Sequence, residues 1–225
     1  FRMLQRIMTL NTDATFLADS TAATADVLRW ETKGDASEAA MIKFVQPLRD
    51  IAEYRAANKR MAAIPFNSTN KYMCSVNCSE ERGQPAQVLI KGAPERVVGR
   101  CSHALVRGER LVLTPEVLGE FDAVNIGLAQ RGERILAFGY QELPAAAYPA
   151  GYVYDAESEA PNFPMSGFTL VGFVGLVDPP RAAVKGAVAD CAKAGVKVLM
   201  VTGDHPMTAL AISNRSPARA RRKPS

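Results

Sequence analysis

Apolar positions along this chain change period several times, and each change marks an element. Phe1, Leu4, Ile7 and Met8 fall on one helical stripe, which predicts a helix over Phe1 to Leu10. A polar stretch follows to about Lys33. Gly34-Asp35-Ala36-Ser37-Glu38 then reads as a helix start. Asp35 with Glu38 three residues on has the form of a capping box, and Ser37 is a competing N-cap. That helix is expected through Met41, Ile42 and Val45, and another over Leu48 to Asn58. The period then drops to two. Arg60 to Phe66, Lys71 to Asn77 and Ala86 to Lys91 read as strands separated by polar or Gly/Pro turns. Pro94 opens a helix over about Glu95 to Cys101, and Leu111 to Leu113 reads as a short strand. Pro115 opens a long helix to about Gln130, and Arg134 to Glu142 is a strand. Leu143 to Gly167, rich in Pro, Ala and Gly, reads as a surface excursion.

After Gly167 the pattern becomes α/β. Phe168 to Val177 is a nearly continuous apolar strand, broken by Asp178-Pro179-Pro180. Arg181 to Ala194 is a helix that Gly195 closes. Val196 to Val201 reads as an apolar strand of the buried parallel type, and Pro206 starts another helix. Ligands bind beyond the carboxyl ends of strands in such sheets, so Thr202, Gly203 and Asp204 mark the expected place for chemistry here.

Composition narrows the function classes. The chain has 225 residues, 48% of them hydrophobic and 22% charged, which are globular proportions. Its longest apolar stretch falls well short of the roughly 20 residues a membrane helix needs, and no signal segment opens it. Direct membrane insertion is therefore not expected. The formal charge is +4, but five basic residues and no acid lie in Arg215 to Ser225. The body without them is close to neutral, which argues against a nucleic-acid partner. The tail has the composition of a disordered end. Cys74 and Cys78 form a C-x3-C without further ligands at zinc spacing, so no metal site is expected.

Four stretches carry candidate chemistry. Lys91-Gly92-Ala93-Pro94-Glu95 ends a strand and starts a helix, offering a fixed cation and a glycine that permits close backbone approach. Ile64-Pro65-Phe66-Asn67-Ser68-Thr69-Asn70-Lys71-Tyr72 places an aromatic at a strand end and a lysine five residues on; an exposed ring there can stack on a base. Gly132-Glu133-Arg134 opens a strand with a planar donor suited to phosphate. Thr202-Gly203-Asp204 offers a hydroxyl and backbone N–H groups beside a helix start, an arrangement suited to anions. Each alone also reads as an ordinary core residue, surface charge or turn.

Together, in order, GDASEAA (34–40), IPFNSTNKY (64–72), KGAPERV (91–97), GERILAFGY (132–140), GLVDPPRAAV (175–184) and KVLMVTGDHPMTALAI (197–212) resemble the cytosolic headpiece of P-type cation-transporting ATPases. PFNSTNKY points within that family to the sodium/potassium- and proton/potassium-transporting α-subunits. The resemblance implies an α+β and α/β fold. Residues 1–174 would be a nucleotide-binding domain, an antiparallel sheet flanked by helices. Residues 175–213 would be an incomplete haloacid-dehalogenase-like parallel-sheet piece of the phosphorylation domain, and 214–225 a disordered basic tail. It implies ATP as ligand. Phe66 would stack on adenine and Glu38 lie near its amino edge. Lys71, Met73, Lys91 and Gly92 would line the pocket, and Arg134 would meet the phosphates. Asp178 and Arg181 would stand at the hinge, and Thr202, Gly203 and Asp204 would match the loop that holds the transferred phosphoryl group.

The departures also shape the expectation. The family has glutamine directly after NKY, where this chain has Met73. The family's phosphorylated aspartate lies in a DKTGT motif and its magnesium carboxylates in TGDGxND, and neither string occurs here. The chain is therefore expected to be a fragment that binds ATP without complete catalysis. Mg2+ and the phosphorylation, actuator and membrane domains would belong to the parent pump. The parent would sit at the plasma membrane with this part on its cytosolic side, and the isolated chain would be soluble in the cytoplasm. Two alternatives stand beside this: a non-catalytic nucleotide-binding regulatory module from a decayed pump, and a small haloacid-dehalogenase-type phosphatase.

Overall fold

A computed structural model describes residues 1–79, 85–158, 160–177, 181–202 and 206–215. Asp178, Gly203 and Asp204 fall outside the described residues. In chain order the elements begin with helix α1 (Arg2–Leu10), strand β1 (Thr15–Phe16), helix α2 (Ala18–Ala23) and strand β2 (Thr32–Lys33). Helices α3 (Ala36–Val45) and α4 (Ile51–Ala56) lead into a meander of β3 (Asn58–Ile64), β4 (Tyr72–Ser79) and β5 (Ala86–Gly92). Then come α5 (Pro94–Val98), β6 (Cys101–Val106), β7 (Glu109–Val112), α6 (Pro115–Gln130), β8 (Arg134–Leu143) and β9 (Phe168–Leu176). Helices α7 (Ala182–Lys193) and α8 (Pro206–Arg215) follow. Among the described residues no helix is long and apolar enough to cross a membrane.

Two compact units emerge: residues 1–113 with 136–173, and residues 114–135 with the described residues from 174 onward. The first is built on a seven-stranded sheet in the order β3-β4-β5-β8-β9-β6-β7, with β1 and β2 forming a separate small ribbon. β5 is the centre of its core: Val88, Leu89 and Ile90 are fully buried, as are Phe138 and Phe168. The apolar stripe of α1 (Ile7, Met8, Leu10) and the inner face of α3 (Met41, Ile42, Val45) are buried in the same core. In the second unit α6 packs against α8, and Thr208 Oγ1 donates to the carbonyl of Glu133 at 3.2 Å.

The sheet differs from the expected antiparallel one because β6 and β9 pair in parallel. β6 was missed in the sequence: the helix expected to reach Cys101 stops at Val98, and Cys101 opens a strand instead. Its parallel partner lies more than sixty residues on, while its antiparallel partner β7 follows after two residues. The expected helix over Leu48 to Asn58 is shorter, since Asn58 already belongs to β3. The strand expected over Val196 to Val201 is not formed: these residues carry no regular structure, and Leu199 and Val201 are 75% and 95% exposed. A strand is completed by its neighbours' hydrogen bonds, and among the described residues none pairs with this segment. Among the described residues after β9 no strand joins a sheet, so the haloacid-dehalogenase-like arrangement is not shown.

The cysteines are free, and burial sets their chemistry. It pushes the Cys101 thiol up to about 12 and the fully buried Cys74 thiol up as well. The folded chain thus keeps protons that the unfolded chain releases above pH 9. This contribution is fully present below that pH and is lost as the pH rises. Unfolding free energy is expected to fall by about 1 kcal/mol per thiol by pH 10. Urea titrations at pH 8 and 10 check this. The decline should flatten when Cys74 and Cys101 are both alanine, and an equal decline in that variant would refute the assignment.

Candidate functional site

Asp35 starts α3 as its N-cap, accepting from the backbone N–H of Ser37 at 2.8 Å and of Glu38 at 3.2 Å. Just before it, Gly34 has φ +126°, and a Cβ there would meet Ala14 Cα at 2.8 Å. The helix start is thereby pressed against the segment that follows α1. That contact redirects Glu38. Its side chain does not turn back to complete a capping box. Its Oε2 instead accepts from the backbone N–H of Asp13 at 2.9 Å and of Ala14 at 3.0 Å.

The other oxygen of Glu38 meets Lys91. Lys91 lies on β5 directly opposite Met73 on β4. Its Nζ donates to Glu38 Oε1 at 2.5 Å, to Thr12 Oγ1 at 3.1 Å, to the carbonyl of Asn11, and to Met73 Sδ at 3.5 Å. Lys91 is 5% exposed, Glu38 9% and Met73 1%. Burial lowers the Lys91 pKa below the ordinary lysine value, with Glu38 pulling in the opposite direction. Asn11 completes the join by donating from Nδ2 to the carbonyl of Met73 at 3.0 Å.

Residues that the sequence did not single out hold the same segment from the other side. Arg55 donates to the carbonyls of Thr9, Thr12 and Ala14, and Arg60 donates to those of Leu10 and Thr12 and pairs with Asp13. They satisfy carbonyls left open at and beyond the end of α1, a job any helix end requires. No spacing signal marks them, because their partners lie more than forty positions away. A solvent-open cavity of about 330 Å³ is lined by Thr12, Asp13, Arg55, Asn58, Arg60 and Asn77.

Phe66 and Lys71 are placed differently. β3 ends at Ile64, and the chain turns through Asn67 to Lys71 before β4 begins. Asn67 Oδ1 accepts from Asn70 N at 2.7 Å and its carbonyl from Lys71 N at 2.8 Å. Lys71 takes φ +56° to close the turn. Phe66, just before the turn, is 61% exposed. Lys71 is exposed too. Gly92 pairs with Tyr72, and a Cβ on it would lie 2.4 Å from the Lys71 carbonyl oxygen. Its missing side chain is used by the neighbouring strand.

The structure therefore brings Glu38, Met73 and Lys91 together in the interior. Phe66 and Lys71 stand at the surface of the same unit, and Gly92 lies beneath the turn. Arg134, Arg181 and Thr202 belong to the second unit, where all three are exposed. Among the described residues no group of three or more His, Cys, Asp and Glu is placed to hold a metal ion.

Residues 1–183 match the family model described as P-type ATPase, cytoplasmic domain N. The chain is 43% identical over 95% of its length to a sodium/potassium-transporting ATPase subunit alpha of Drosophila melanogaster, covering 20% of that protein. It is 46% identical over 83% of its length to the corresponding subunit of Hydra vulgaris, covering 18%. Its identity to the alpha-4 subunit of Homo sapiens is 41% over 94% of the chain and 20% of that protein. The chain spans about a fifth of the length of these relatives.

Proposed function

Because the chain belongs to the P-type ATPase family, through the part described as cytoplasmic domain N, we propose that it is the ATP-binding portion of a sodium/potassium-type ion pump. The base stacks on Phe66, and Lys71 supplies positive charge near the polyphosphate. Arg134, Asp178 and Arg181 are proposed for phosphate from their sequence motifs alone. Thr202, Gly203 and Asp204 belong to the loop that holds a transferred phosphoryl group. The chain presents nucleotide to an aspartate in a DKTGT motif, a string its own 225 residues do not contain. Phosphoryl transfer needs a positioned acceptor and charge stabilisation, so the isolated chain binds nucleotide without steady-state turnover. Mg2+ would belong to the complete pump.

The observation that carries the reading is Phe66. This large apolar ring is 61% exposed two residues past the end of β3 and five residues before the exposed Lys71. An exposed ring is what stacking on a base needs. Stacking on such a ring is worth about 1–3 kcal/mol per base. Phe66→Ala is therefore expected to weaken ATP binding about tenfold or more. The midpoint of urea unfolding should shift little, since an exposed side chain contributes within about 0.5 kcal/mol. Calorimetric titration and a phosphate-release assay on the full chain check both halves. ATP affinity indifferent to Phe66, or sustained phosphate release by the pure chain, would refute the proposal.

A further inference from the structure

We propose that the solvent-open cavity beside the end of α1 is a second binding site, one for a phosphate group, free or carried on a small polar ester, gripped by Arg55 and Arg60. None of its lining residues is assigned to the nucleotide, so failure of the nucleotide reading would leave this site untouched. Two guanidinium groups meet at the cavity, Arg55 from α4 and Arg60 from β3. Thr12, Asn58 and Asn77, each less than 5% exposed, supply a hydroxyl and two amides beside them. Among the described residues Asp13 is the one carboxylate on the lining, and its Oδ1 meets Arg60 at 2.5 Å. Glu38 and Lys91 nearby cancel each other as a pair. Two cations against one anion leave the wall with an excess of one positive charge.

A guanidinium carries five N–H donors in a planar fork. Arg55 spends three of them: Nε on the Thr9 carbonyl at 2.9 Å, and its terminal nitrogens on those of Ala14 at 3.0 Å and Thr12 at 3.1 Å. Arg60 spends its bonds on Asp13 Oδ1 and on the carbonyls of Leu10 and Thr12. Each keeps N–H groups to give, and the carbonyl bonds fix both forks before any ligand arrives. Burial pushes the Arg55 pKa below the ordinary arginine value, and the Arg60 charge pushes it the same way. Such a cation is short of counter-charge, which an oxyanion supplies. A phosphate group accepts parallel N–H bonds from a planar fork. The volume of about 330 Å³ is large against one water's share of the liquid, roughly 30 Å³, so a small organic body fits beside the phosphate. Arg60 stands opposite Asn77, whereas Ile64, two residues before Phe66, stands opposite Cys74. The step from Arg60 to Ile64 is about 13 Å of strand, so the cavity and the exposed ring are separate places on this unit.

Calorimetric titration of the full chain with inorganic phosphate and with glycerol phosphate, at fixed ionic strength, tests the inference. At least one of the two is expected to bind with a dissociation constant of about 1 mM or below, and the tighter one names the source of the phosphate group. Arg60→Gln should weaken that binding about tenfold or more, as loss of charge-assisted hydrogen bonds does. Arg60→Lys keeps the charge without the fork and should retain part of the affinity. Asp13→Asn removes the opposing carboxylate charge and should tighten binding about fivefold, the weight of one unit charge at about 4 Å in water. Urea unfolding of each variant ensures that folded chains are compared. The opposite signs at Arg60 and Asp13 are what a purely structural role for the pair would not give. Neither probe binding at about 10 mM, or an affinity indifferent to both Arg60→Gln and Asp13→Asn, overturns the proposal. Phosphate binding that Lys71→Ala abolishes and Arg60→Gln leaves intact also overturns it, because the anion would then sit at the turn after β3.

Discussion

Replacing Lys91 with alanine is expected to lower the unfolding free energy of the chain by about 3–5 kcal/mol. Few single substitutions cost that much, and the reason is geometric. The Lys91 ammonium is 5% exposed as part of its residue and sits on four partners at once. Removing it leaves Glu38, 9% exposed, with an uncompensated negative charge on Oε1. It also strips the Asn11 carbonyl and the Thr12 hydroxyl of a donor. Whole domains are stable by only about 5–15 kcal/mol, so the variant should unfold at a much lower urea concentration. The paired variant Glu38→Gln with Lys91→Met separates this cause from simple loss of packing. Glutamine still accepts from Asp13 and Ala14 through its amide oxygen, and methionine fills most of the lysine stem's volume. No buried charge remains. The paired variant should recover a large part of the loss, since apolar replacement of a buried pair is often neutral. If Lys91→Ala leaves the urea midpoint unchanged, the ammonium is not held where the structure puts it. The prediction bears on function too. A fall in ATP binding on Lys91→Ala has to be read beside the fraction folded, because only folded chain presents the site.

Glu38 and Lys91 also show how far the sequence was legible. Asp35 as N-cap of α3 was readable, because capping is local chemistry and the N–H groups it serves are two and three residues away. The fate of Glu38 was not. Its strongest partner stands 53 positions on, and nothing in GDASEAA says that Ala14 will press against Gly34. The β3–β4–β5 meander was legible from alternation and turn residues, since antiparallel neighbours follow one another along the chain. β6 was not read, although β7 is its antiparallel neighbour two residues on; its parallel pairing with β9 is the part that lies beyond any local pattern. The same limit explains Val196 to Val201. An apolar run has the composition of a buried strand, but its hydrogen bonds must come from other strands, and its own residues cannot supply them. Phe66 was readable as a choice between core and exposed ring, and the turn through Asn67 and Lys71 resolves that choice toward exposure. The family itself was legible from six short ordered stretches, which the match over residues 1–183 bears out.

The second large effect is expected from the smallest change, Gly92→Ala. The new Cβ would lie 2.4 Å from the Lys71 carbonyl oxygen, 2.6 Å from Tyr72 Cα and 2.7 Å from Tyr72 Cβ. Two of these are backbone atoms, so no rotamer change relieves the clash. β4 and β5 must separate at this end, which strains the Tyr72–Gly92 pair and the bond from Ala93 N–H to the Lys71 carbonyl, now 2.9 Å. Overpacking of this kind costs about 1–3 kcal/mol, and more where backbone has to move. Lys71 already holds φ +56° to close the turn, so the turn has little freedom to absorb the shift. Movement there carries Phe66 with it. Gly92→Ala should therefore lower both the urea midpoint and the ATP affinity, although residue 92 need touch no ligand. Gly119→Ala is the control. Gly119 lies within α6, and a Cβ there meets nothing within 4 Å. Alanine at an unobstructed helical position should stabilise by about 0.5–1 kcal/mol. Opposite signs for the same chemical change would show that the space beside Gly92 is decisive. If Gly92→Ala binds ATP normally and unfolds at the unaltered midpoint, β4 and β5 are not as close as they stand here, and the turn that presents Phe66 is set by something else.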